Sequence, residues 1–275
     1  MESQFKIHLI ISIFLLSFAY SFHSTAQSSQ KYSDPVCHIQ IQTDSLFDSP
    51  QRINILLIDL ELFPHYSLEI AYQKSELAKT SQLAENRNAL AAINGGFFDM
   101  DNGGSVSYFE IDDSVICKTR STDLKWAVSD SIINGALLLL ENHILEIESA
   151  NLQQHYQDSK KETFVLVTGP ILIKDSILQD LPDMKFVNNR HPRTCVGITG
   201  ESIIFMTIDG RSETAAGMNL VEVQNYMLEL GCLDAINLDG GGSTSMWVKN
   251  KGLVNIPSDK TGERPVANAL LLFKK

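Results

Sequence analysis

Apolar runs of strand length, bounded by polar or turn residues, recur along most of the chain. Val36–Gln42, Ile53–Leu60, Leu68–Tyr72, Ala89–Ile93, Ser107–Ile111, Trp126–Val128, Ile132–Leu140, Thr163–Thr168 and Glu201–Ile208 all read as strands. Asn134-Gly135 marks a bend and Thr199-Gly200 a turn. Helical periodicity is scarce. It is clearest from Leu220 to Leu230, where Leu220, Val223, Met227 and Leu230 make one apolar stripe. Asn219 can cap that helix, Glu222 completes a capping box, and Gly231 ends it. A shorter helix is predicted over Ser81–Asn88. Asp234–Leu238 follows the long helix as a buried strand, so strand, helix and strand form a crossover unit inside a mixed sheet. The fold class expected is α+β or mixed α/β, strand-rich with few helices.

The N-terminus belongs to a different category. Lys6 precedes an apolar run from Leu9 to Phe22, followed by Ser24-Thr25-Ala26. This is the layout of a secretory signal peptide, taken here as residues 1–26. The run of about 14 residues is short of the roughly 20 that span a bilayer. Residues 27–35 are polar and read as a flexible lead-in. No linker or repeat interrupts 36–275, which fits one domain. An exported product, periplasmic or extracellular, with no stable membrane insertion after signal cleavage, is the expectation.

Composition narrows the function classes. The 275 residues carry 22 Lys+Arg against 33 Asp+Glu, a net of -11. Nucleic-acid binders need a cationic surplus, so nucleic acid is not an expected partner. The four cysteines (Cys37, Cys117, Cys195 and Cys232) form no C-x2-C pair, so a zinc cage is not indicated. Export permits a disulfide. Cys195 and Cys232 lie in apolar segments and read as buried free thiols.

Polar residues and glycines crowd the strand ends at four places: Asn94-Gly95-Gly96-Phe97-Phe98-Asp99, His191-Pro192-Arg193-Thr194, Asp209-Gly210-Arg211, and Asn237-Leu238-Asp239-Gly240-Gly241-Gly242-Ser243-Thr244. Three consecutive glycines after a buried strand cost backbone entropy. They are expected where the chain turns sharply or lets a ligand touch its amides. Phosphate-loop, dinucleotide, HExxH and nucleophile-elbow patterns are all missing from the sequence. Asp99, Asp101 and Glu110 partly match a calcium loop, but the position-five ligand is missing; a solvated acidic turn is the preferred reading. No cofactor is expected, with a divalent cation such as calcium as the alternative.

These four clusters, together with Asn255-x-Pro257-Ser258-Asp259 and Glu263-Arg264-Pro265-x-Ala267-Asn268, resemble the motif set of the phosphodiester glycosidase family. The resemblance covers about residues 88–273. It departs at Cys195, where a small apolar residue is expected, and at Ser105-Val106-Ser107-Tyr108, where many members carry Pro-x-Gly. It implies a single domain with a curved, mixed central sheet. It also implies hydrolysis of a sugar-1-phosphodiester, or a phosphorylated glycan carrying one, with release of free sugar and a phosphomonoester.

That chemistry assigns roles. An oxocarbenium-like transition state needs a carboxylate below C1. Asp239, on an open glycine turn, is the expected nucleophile or base, with Asp209 or Glu263 as partner. A planar guanidinium matches two phosphate oxygens, which points to Arg193 and Arg211, with Arg264 evenly balanced between phosphate and an ion pair. Asn94, Asn237, Asn268, Thr194 and Thr244 are candidate sugar or turn contacts. The amides of Gly240, Gly241, Gly242 and Ser243 could hold the phosphate. Phe97 and Phe98 read as core. Two alternatives stand: a non-catalytic binder of phosphorylated surface glycans, and a metal-dependent phosphodiesterase that cleaves P–O.

Overall fold

The computed structural model describes residues 36–61, 63–118, 131–159 and 161–275. The expected signal peptide, the lead-in and the Trp126–Val128 strand lie outside the described residues. Val36–Lys275 makes one compact unit. Its strands form three sheets. The first, of seven strands, runs in the order Val36–Leu46, Ser49–Asp59, Ser202–Ile208, Arg193–Ile198, Asp234–Asn237, Ile171–Lys174, Ile177–Leu178. The second runs Gly252–Leu253, Met246–Val248, Ala91–Asn94, Asn268–Lys274, Tyr66–Tyr72. The third runs Ser114–Cys117, Phe109–Ile111, Glu162–Thr168, Gly135–Leu140, Leu145–Ser149.

The pairing corrects the expectation of one mixed central sheet. Among the described residues every strand pair is antiparallel. Ser202–Ile208 and Asp234–Asn237 do run in the same sense, as a helical crossover requires. Arg193–Ile198 is bonded between them and opposes both, so the crossover creates no parallel ladder. The α+β description therefore applies, and the strand-rich, helix-poor texture is as read from the sequence.

Burial explains the unbroken apolar runs. One face of each sheet contributes to a shared core: Leu56 and Phe205 from the first, Ile93 and Leu270 from the second, Phe109, Leu137 and Leu166 from the third. The opposite faces are each covered by a helix. Leu220–Glu229 lays Leu220, Val223 and Met227 on Ile204, Met206 and Cys195. Thr80–Asn86 lays Leu83 and Ala84 on Ala92 and Leu271. Gln153–Ser159 lays Tyr156 on Tyr108 and Val165. Strands buried on both sides need apolar residues at every position rather than alternation. The long helix carries its expected capping box: Asn219 Oδ1 accepts from the Glu222 amide at 2.8 Å, and Glu222 accepts from the Asn219 amide at 3.0 Å.

Candidate functional site

The first and second sheets are stitched together by Asn94, at the end of its strand. Its Oδ1 accepts from the Thr194 hydroxyl at 2.6 Å and from the Ser245 amide at 3.0 Å, and its Nδ2 donates to the Asp239 carbonyl at 2.7 Å. The Asp239 amide donates to Gly95 O at 3.0 Å, and the Gly96 amide to Asn268 Oδ1 at 2.8 Å. Four segments far apart in sequence thus converge at one seam. A side chain at Gly95 would collide with Asn268, so the approach requires glycine there.

Asp239 leaves the strand Asp234–Asn237 at this seam and turns into the 3-10 turn Gly241–Ser243. Its Oδ1 accepts from the Gly240 amide at 2.9 Å. Burial pushes its carboxyl up to about 6, although Ser243, the Gly240 amide and Arg264 pull the other way. A carboxyl so placed changes protonation near neutral pH, as a general base must. Arg264 is fixed behind the turn. Its Nε and Nη2 donate to the two oxygens of Asp259 at 2.7 and 3.0 Å, and Nη1 lies 3.5 Å from Ser243 Oγ. Gly242 passes so close that a side chain would overlap both Arg264 and Asp259. Arg264 is therefore an ion-paired cation that meets Asp239 through Ser243.

Arg211 lies against the glycine turn. A side chain at Gly241 would press on its guanidinium, whose Nη2 is 3.3 Å from His191 Nδ1. Among the described residues it has no carboxylate within ion-pair distance. Arg193, expected at phosphate, is engaged by the main chain. It is 1% exposed, and its Nε and Nη2 donate to the carbonyls of Met218, Phe186 and Asn189 at 3.0, 2.7 and 3.0 Å. It also lies over the Phe186 ring. It braces the loop beneath the site.

The other predicted residues separate in the same way. Asp209 is 2% exposed; Oδ2 accepts from the Ile256 amide at 3.0 Å and sits 3.3 Å from Arg52 Nε. Burial pushes it up to about 6, against the pull of that amide and of Arg52. Its strand lies two places from that of Asp239, roughly 10 Å between strand axes. Glu263 is engaged at a helix start. Its Oε1 and Oε2 accept from the Ser81 amide and hydroxyl at 2.9 and 2.5 Å, which satisfies the first turn of the helix Thr80–Asn86. Asn237 is also structural: its Nδ2 donates to the carbonyls of Gly169 and Leu238 at 2.9 and 2.6 Å. Thr194 and Asn94 are occupied with each other. Thr244 is buried, and Asn255 Nδ2 donates to its carbonyl at 2.9 Å. Phe97 and Phe98 are core, as read.

The calcium-loop residues are not gathered. Asp99 accepts from the amides of Asp101 and Asn102, both at 2.9 Å, in a tight turn, while Glu110 bonds Tyr108 in the third sheet. Among the described residues no cluster of His, Cys, Asp and Glu forms a metal cage. Cys195 and Cys232 are buried thiols, as read. Two cavities lie off the seam's catalytic end. A groove of about 730 Å³ follows the edge strand Tyr66–Tyr72, where Glu69 and Arg87 pair with each other. A pocket of about 80 Å³ abuts Asn268, Lys74 and Cys117. The raised carboxyl of Asp239, together with a guanidinium that has no carboxylate partner among the described residues, rather than cavity size, singles out the glycine turn. His191 and Asp259 were legible only as motif members, since their roles depend on Arg side chains 20 and 5 residues away.

Comparison with known proteins agrees with this geometry. The sequence model of the phosphodiester glycosidase family matches residues 87–273. The human N-acetylglucosamine-1-phosphodiester alpha-N-acetylglucosaminidase is 29% identical over 201 residues, 69% of this chain and 37% of that protein. The bovine protein of the same name is 27% identical over 66% of this chain and 35% of its own length. The chain thus spans little more than a third of these relatives. The zebrafish catalytic domain of that enzyme superposes with a TM-score of 0.70 at 19% identity, covering 91% of this chain and 87% of that one. A hypothetical protein from Synechocystis superposes at 0.62 with 14% identity, covering 89% and 64%. A family match across most of the folded unit, on the motifs that meet at the seam, makes this chain a member of the phosphodiester glycosidase family.

Proposed function

We propose that the chain hydrolyses the C1–O bond of a sugar-1-phosphodiester, releasing free sugar and a phosphomonoester. The observation that carries this reading is the presence, at one glycine turn, of a carboxyl pushed to about 6 and of an Arg with no carboxylate partner among the described residues. Asp239 in its ionised form acts at C1, as a nucleophile or as the base that takes a proton from the attacking water. As C1–O breaks, its electron pair stays on the phosphate oxygen. The developing dianion is met by Arg211, whose planar fork fits two phosphate oxygens. Arg264 keeps its bond to Asp259 and stabilises the ionised Asp239 through Ser243. Asp209 shapes the neighbouring loop through Ile256. The reading assigns no metal and no cofactor. A sugar-phosphate class of substrate also agrees with the names of the relatives. Residues 1–26 are proposed as an export signal, which N-terminal sequencing of the secreted product would test.

The direct test is incubation with an N-acetylglucosamine-1-phosphodiester and assay of reducing sugar. Turnover is expected. Binding of the diester with no sugar released would favour a non-catalytic glycan binder instead.

A further inference from the structure

Arg211 projects from a constrained turn. Its φ is +62°, in the left-handed region that non-glycine residues rarely adopt. Ser212 and Ala215 bridge the turn, and Gly210 packs against the Pro192 ring and Gly217. A long side chain on such a turn still has free torsions beyond Cβ, so something must fix the guanidinium. The neighbour on the page is His191. Its backbone is rigid: His191 N donates to Met218 O at 3.2 Å, Met218 N donates to His191 O at 3.1 Å, and Pro192 follows. The contact has only one chemical sense. A guanidinium can only donate, so Nδ1 must be the acceptor and the ring proton must sit on Nε2. The surroundings favour this neutral form: burial lowers the His191 pKa, and Arg193 and Arg211 lower it further.

We infer that His191 is a positioning residue, whose neutral imidazole holds the Arg211 guanidinium beside Gly241 in the orientation that receives a phosphate. The inference rests on the reading of Arg211 given above. Its effect falls on the phosphoryl group, both in the bound diester and as charge develops on the departing phosphate.

The test uses the full chain with inorganic phosphate in titration calorimetry and a sugar-1-phosphodiester in kinetics. Arg211→Gln is expected to weaken phosphate binding tenfold or more. His191→Ala is expected to weaken it about tenfold, the scale of one hydrogen bond to a charged group, and to lower kcat/KM by at least as much. His191→Asn places an amide oxygen near the position of Nδ1 and is expected to restore binding to within about threefold. His191→Gln, whose oxygen lies nearer the position of Nε2, is expected to leave the defect. Thermal melts of all variants confirm that folded protein is compared. Unchanged phosphate binding in His191→Ala, with a loss in Arg211→Gln, overturns the positioning role alone. Unchanged binding in Arg211→Gln overturns the phosphate reading and this inference with it.

Discussion

Asp239 meets two opposing demands. Its turn encloses the carboxyl and raises it to about 6, while the proposed chemistry needs the ionised form. Because the folded value stands above the ordinary 3.8, this group favours the folded state at low pH, and that contribution is lost as pH rises through about 6. Asp239→Asn should therefore fold, and at pH 7 should melt no lower than the wild type. It should nevertheless lose about 10²-fold or more in kcat, the usual worth of a positioned base. In the wild type kcat/KM should fall as pH drops below about 6, a limb that the same kinetics would show. A variant with full activity would remove Asp239 from the chemistry. This is the exchange of stability for activity expected of a working site.

At the scale of elements, what matters is which polar groups are already occupied. Glu263 sits beside Arg264 in sequence, yet it caps the helix Thr80–Asn86 through Ser81. Glu263→Gln should lower stability by about 1 kcal/mol, the scale of a lost cap at a helix N-terminus. It should change kcat less than threefold, as denaturant titration and kinetics together would show. A hundredfold loss of kcat would return Glu263 to the catalytic set. The same distinction governs what was legible in the sequence. Runs such as Thr163–Thr168 and Glu201–Ile208 announced themselves because both faces of those strands are covered. Partners were not legible: Ala91–Asn94 pairs with Met246–Val248 and Asn268–Lys274, more than 150 residues away. Strands as short as Met246–Val248 carry too few residues for any period to register. The four clusters were legible as chemistry because glycines crowd a strand end for a reason. The engagement of Arg193 was not legible because its acceptors are main-chain carbonyls, which every sequence supplies and none reveals.

At the scale of the molecule, three antiparallel sheets share one core, and the proposed site lies where the first two are stitched at Asn94. The net charge of -11 disfavours long polyanions, but it is a sum over the whole chain. At the seam Arg264 is neutralised by Asp259 and Arg193 is buried on carbonyls, so the proposed reading gives the single phosphodiester to Arg211. Asp239 opens the glycine turn and the Arg211 guanidinium lies against Gly241 within it, an arrangement that the proposed attack at carbon, with phosphate as leaving group, would use. The most direct test is hydrolysis of a sugar-1-phosphodiester in oxygen-18 water, with mass analysis of both products. Attack at C1 predicts the label in the released sugar and none in the phosphomonoester. Label in the phosphate would mean that P–O is the bond cleaved, and would contradict the assignment of Asp239 to C1.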